Sequence, residues 1–148
     1  MKAITFSAAF FLLISCNSQQ EEKNSNEKTD QQQTETCYLY INNNDTVTLS
    51  TVQEGKTVTG DLAYNLYEKD KNTGTIRGEM KGDLLIADYT FMSEGMKSTA
   101  QVVFKKTGNT LVQGYGEVVN QGSSVTFKNI DSLNYTNSIL LKETNCEK

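Results

Sequence analysis

Leu84-Leu85-Ile86-Ala87-Asp88-Tyr89-Thr90-Phe91-Met92 decides the fold. Side chains on an extended strand alternate faces, so Leu85, Ala87, Tyr89 and Phe91 share one side while Ile86, Asp88 and Thr90 share the other. That is the pattern of a half-buried strand. Ser98 to Lys105 repeats it, with Ala100, Val102 and Phe104 opposed to Thr99, Gln101 and Lys105. Working outward, similar runs cover Tyr38 to Ile41, Thr46 to Val52, Val58 to Tyr67, Thr75 to Met80, Leu111 to Val119, Val125 to Lys128 and Ser138 to Lys142. Between them stand Asn42-Asn43-Asn44-Asp45, Glu54-Gly55, Asn72-Thr73-Gly74, Lys81-Gly82-Asp83, Glu94-Gly95, Thr107-Gly108-Asn109 and Asn120-Gln121-Gly122. Glycine and asparagine accept the positive φ of tight hairpins, so these stretches read as turns between antiparallel neighbours. The expectation is an all-β, antiparallel up-and-down meander of eight to nine strands. No stretch carries a helical stripe, although Asp131 to Asn137 has room for one turn of helix.

A meander of this size buries its edges by closing on itself, which predicts a small closed or partly open barrel. Gly60, Gly78, Gly114 and Gly116 fall inside strand patterns, where glycine permits the sharp coiling a narrow barrel needs. A twisted sheet rolled into a sandwich is the alternative. The inward set is Leu62, Tyr64, Leu66, Ile76, Met80, Leu85, Tyr89, Phe91, Val102 and Phe104. These are bulky, which favours a filled interior over a pocket.

The N-terminus follows different rules. Lys2 precedes an apolar run from Ala3 to Ile14, too short for a membrane-spanning helix, which needs about 20 apolar residues. The run ends in Leu13-Ile14-Ser15-Cys16, which resembles a bacterial lipobox: branched apolar, apolar, small, cysteine. An ordinary secretory signal with an incidental cysteine is the alternative. The lipobox implies residues 1–15 as a lipoprotein signal peptide and Cys16 as the lipid attachment site, acylated on sulfur and amine, with more than one chain for stable anchoring. Residues 16–36 then form the lipidated cysteine and a disordered polar linker. From Asn17 to Thr36 nothing apolar offsets the entropy of ordering. About 20 such residues span roughly 25 Å. The acidic pair Glu21-Glu22 resembles surface-export signals of some Gram-negative lipoproteins, with a solvated linker as the plainer reading. With Cys16 taken by lipid, Cys37 and Cys146 remain at the two ends of the patterned domain, residues 37–148. Export to an oxidising compartment predicts that they pair in a disulfide. Together, lipobox and meander resemble the calycin-like barrels of small envelope lipoproteins. No fingerprint residue is involved in that resemblance.

The chemistry is sparse. The chain has no histidine, which removes the commonest general base and metal ligand. Glu79 and Asp88, on adjacent strands, are the carboxylate pair that an acid/base enzyme would use, but both sit on polar faces where solvated charges are ordinary. Asp70 to Ile76 looks like the start of a calcium loop, yet the glycine comes one residue early and the twelfth position is Lys81. A hairpin loop is the expectation, and no metal site. The net charge of −4 becomes one unit more negative once Lys2 is cleaved away, so nucleic acid is not an expected partner. Recognition falls to aromatic residues. An internal ligand would meet Tyr64, Tyr89, Phe91 and Phe104, while Tyr38, Tyr40 and Tyr115 would offer aromatic area to a partner protein. Met96 stands either for contact surface or for a strand start. The expectation is therefore an envelope lipoprotein on the membrane, by its lipid anchor, with the outer membrane as its place, at the periplasmic face or cell surface. It would act as a non-catalytic binding or interaction module, with no cofactor beyond its covalent lipid. A carrier of a small lipophilic ligand is the first alternative and a carboxylate-based enzyme the second.

Overall fold

The computed structural model describes residues 33–69 and 71–146. Cys16, the signal peptide, most of the linker and Asp70 lie outside the described residues. Ten strands follow in order: β1 (Glu35–Asn42), β2 (Asp45–Glu54), β3 (Thr57–Asn65), β4 (Asn72–Lys81), β5 (Leu84–Ser93), β6 (Met96–Thr107), β7 (Thr110–Gln113), β8 (Val118–Gln121), β9 (Ser124–Phe127) and β10 (Leu140–Thr144). A single 3-10 turn at Ile130–Ser132 falls within the stretch expected to hold a turn of helix. Among the described residues no helix is long and apolar enough to cross a membrane.

Strands β1 to β7 pair each with the next, all antiparallel, and β10 fits between β7 and β1. The eight strands β1 to β7 and β10 therefore close into a barrel. The β8–β9 hairpin hangs outside that circuit, with β9 running parallel to the first half of β6 through Thr99↔Ser124 and Ala100↔Val125. The closed barrel of the sequence reading is present, but closure does not remove every edge, because β8 pairs with β9 alone. The domain also begins slightly earlier than residue 37, since β1 starts at Glu35.

Period two sets the faces. Val47, Leu49, Val58, Leu62, Ile76, Leu85, Ala87, Tyr89, Val102, Phe104, Leu111 and Leu141 fill the interior, with Tyr40, Tyr64, Leu66, Met80, Phe91 and Ile139 packed against them. Every residue expected to point inward joins this cluster. Burying a side chain of this kind stabilises by about 1.5–3 kcal/mol relative to exposure. The wall is pinched where glycine faces inward: a Cβ on Gly60 would lie 1.8 Å from the Ser50 carbonyl oxygen, and one on Gly78 2.0 Å from that of Ile86. No larger residue fits between strands that approach so closely.

Two sequence readings need correction. Asn72-Thr73-Gly74 is not a turn: it opens β4, with Gly74 opposite Phe91, and the β3–β4 connection falls earlier, where Glu68 takes a positive φ of 54°. Leu111 to Val119 is not one strand. Gly114 breaks it into β7 and β8, its N–H donating to the Val103 carbonyl at 2.8 Å while Tyr115 bridges to Asn134. A side chain at Gly114 would collide with Tyr135 and Leu133 at 2.9–3.0 Å, so glycine lets the returning chain pack there. Val103, outward-facing by alternation, is also fully buried. The last strand lies two residues later than expected, at Leu140–Thr144.

Candidate functional site

Strand direction gives the barrel two unlike ends. The chain enters β1 beside Cys37, which lies at disulfide distance from Cys146, with a Cα–Cα separation of 5.2 Å. The turns at Gly55, Gly82 and Gly108, all with positive φ, share this disulfide end. Opposite it, the far end carries the Asn43 and Glu94-Gly95 turns, the loop after β3 and the excursion from Gly114 to Ile139. That loop is tied down by the Tyr67 N–H donating to Asp45 Oδ1 at 2.7 Å.

The interior is closed toward the disulfide end. Thr51, Val58, Met80, Leu85, Lys106 and Leu111 are among the residues around a cavity of only about 50 Å³. Toward the far end the filling becomes aromatic and polar. Tyr64 and Tyr89 meet edge to face at a centroid distance of 5.8 Å, and Phe91 stacks on Tyr89 at 4.8 Å. Gln113, the last residue of β7, lies 8% exposed beside this group, its N–H donating to the Ile139 carbonyl at 2.9 Å. Tyr64 Oη, Tyr89 Oη and Gln113 Oε1 are buried without a hydrogen-bond partner among the described residues. A buried polar atom left unpaired costs about 1–3 kcal/mol, which makes this the least satisfied spot in the barrel.

The phenols respond to that setting. Burial raises Tyr64 well above the ordinary range, with Tyr115 and Tyr89 raising it further. Burial alone pushes Tyr89 up to about 12. Tyr115 is raised by burial and then by Tyr40, which places Tyr40, Tyr64 and Tyr115 in one electrostatic neighbourhood. A phenol held above its unfolded value favours the folded state below pH about 10 and loses that contribution as pH climbs through the folded value. The domain is therefore expected to lose stability between about pH 10 and 12, and Tyr89→Phe should make that loss smaller. Denaturant melts across this range, followed with tyrosinate absorbance, check it. A Tyr89→Phe chain with the parent's alkaline profile would remove Tyr89 as a cause.

The structure thus brings Tyr64, Tyr89 and Phe91 together. Phe104 sits apart in the packed interior, fully buried, opposite Leu85 and Gln113. Tyr38 does not offer its ring to a partner: it is 5% exposed, in the core, whereas Tyr115 is exposed at the far end. The sequence reading missed Gln113, which looked like a polar strand residue. Its parity with Leu111 on β7 was the available signal. Glu79 and Asp88 lie on the outer wall around a shallow concavity of about 750 Å³ with Arg77 and Gln101. Glu79 pairs with Lys81 at 2.8 Å, and Asp88 stands opposite Arg77 in the ladder.

One further feature separates the ends. Among the described residues the exposed large apolar side chains are Ile41, Tyr67, Met92, Met96, Tyr115, Val118, Val119 and Leu140. All belong to the far-end half: strand tips beside its turns, the loop after β3, the excursion, or the first residue of β10. Searches against family models, curated proteins and solved structures find no match to this chain.

Proposed function

We propose that this protein is an envelope lipoprotein, anchored through Cys16, that works as a non-catalytic binding module and makes contact through the far end of its barrel. The observation that carries the reading is the segregation of exposed apolar side chains to the end opposite the chain's entry. The chain enters the barrel at the disulfide end, so a tether attached there leaves the far end free for contact. Exposed apolar side chains gathered at one end of a domain supply the material of a contact surface. The carrier alternative has less support, because small-molecule pockets measure about 300–1,000 Å³. The concavity of about 750 Å³ beside Glu79 and Asp88 has that size but lies open on the outer wall, whereas the interior cavity toward the disulfide end is only about 50 Å³.

Two measurements test this. Cys16→Ala is expected to abolish fatty-acid labelling, and persistent labelling would remove the anchor from the reading. A photo-crosslinking residue at Tyr67 or Met96 should capture a partner in cells, and one at Lys56 on the disulfide end should not. Equal capture from both ends, or from neither, would sink the far-end assignment.

A further inference from the structure

We infer that the free edge of β8 is a homotypic docking edge, which joins two copies of this chain by antiparallel β8–β8 pairing about a twofold axis. Among the described residues β8 is the one strand of the sheet hydrogen-bonded on a single side. All four of its residues are exposed, Val118 at 50% and Val119 at 40%.

Natural edges are kept apart by charge, proline, bulges or a covering segment. Short length is a further such device, and β8 has it at four residues, but none of the others protects this edge. The chain has no proline, and Val118 to Phe127 contains no charged residue. The flanking Glu117 is already paired with Lys128 at 3.1 Å. Two copies of a net-negative chain can therefore meet along this edge without opposing like charges.

The ladder also fixes the register. Gly122 and Ser123 form the two-residue turn between β8 and β9, with Gln121 opposite Ser124. Lys128 N–H donates to the Glu117 carbonyl at 2.8 Å. Hydrogen-bonded pairs alternate along an antiparallel ladder, so residues 117, 119 and 121 bond inward to β9 while 118 and 120 turn their N–H and C=O groups to the free edge. A second β8 satisfies those groups when Val118 faces Asn120 of the copy and Asn120 faces its Val118, giving about four main-chain hydrogen bonds. Val119 then lies opposite Val119 across the axis, as a close non-hydrogen-bonded pair. Since each chain has one such edge, the pairing closes at two copies and does not grow into a filament.

The test uses the chain from Cys16 to Lys148 carrying Cys16→Ser, so that the only free thiols are those introduced. Its mass by sedimentation equilibrium should rise with concentration from one chain toward two. Asn120→Pro removes an outward N–H and leaves the β9 ladder intact, so it should hold the mass at one chain. Under mild oxidation Val119→Cys should form a covalent dimer at least tenfold faster than Asp61→Cys, a cysteine on the exposed face of β3. This comparison stands even if the proline chain fails to fold. A mass of one chain throughout, equal crosslinking from both cysteines, or growth beyond two copies would each overturn the inference.

Discussion

Reducing the bond between Cys37 and Cys146 is expected to cost up to about 4.7 kcal/mol, the chain-entropy value for closing a loop of about 100 residues. The two cysteines are 109 residues apart. Small domains are stable by only about 5–15 kcal/mol, so this is a large fraction of the total. Where the bond sits makes the loss specific. β1 meets β10 at only three registered pairs, Cys37↔Thr144, Tyr38↔Glu143 and Leu39↔Lys142, and β10 meets β7 at three more. By comparison β2 and β3 share nine. The last strand is thus the weakest stave, held by few ladder bonds and by the buried side chain of Leu141. The cystine ties the final residues to the start of β1 just beyond that seam. Reduction should first raise hydrogen exchange at Leu39 and Lys142, which face each other across the β1–β10 seam, and lower the melting midpoint by roughly 10–20 °C. Identical melts with and without reductant would show that the seam holds without the bond.

What the sequence revealed, and what it hid, divides along physical lines. Alternation is a local property, and it marks Leu85, Tyr89, Val102 and Phe104 as inward from the sequence alone. Positive φ is local too, and the glycines at 55, 82, 95, 108 and 122 all mark turns as expected. Gly74 misled because glycine has two uses. It supplies positive φ in turns, and it also admits a neighbouring backbone within a strand, where the Thr90 carbonyl leaves no room for a Cβ. The two uses are indistinguishable without the partner strand. Gly114 failed for a related reason, since only the return of Leu133 and Tyr135 shows why the strand must leave the barrel there. The candidate site was half legible. Tyr64, Tyr89 and Phe91 are strong patterned residues on β3 and β5, the two strands that flank β4. Gln113 acquires meaning only when β7, β10 and β3 are brought together by closure, which is a non-local event. The free edge at β8 was invisible for the same reason, because a meander that closes was expected to leave none.

The packing of the interior is tested most directly at Phe104, where truncation to alanine is expected to cost about 3–5 kcal/mol. Phe104 is fully buried on β6, the strand that bonds to β5, β7 and β9. Its cross-strand neighbours are Leu85 and Gln113, and Leu85 also borders the small cavity toward the disulfide end. Removing the ring leaves a void beside that cavity in a wall closed all round by hydrogen bonds, so the surrounding strands have little freedom to collapse into it. Lost transfer free energy and the unfilled volume therefore add. Phe104→Leu keeps most of the volume and should cost clearly less. The comparison also separates the binding-module reading from the carrier. In a carrier the ring would line a ligand chamber, and its loss would enlarge the chamber at little cost to the fold. In a filled barrel the same change strips packing from the centre. Denaturant melts of the parent, Phe104→Leu and Phe104→Ala chains in ligand-free buffer decide between them. A loss below about 1 kcal/mol for alanine would mean that the interior is not close-packed at this level.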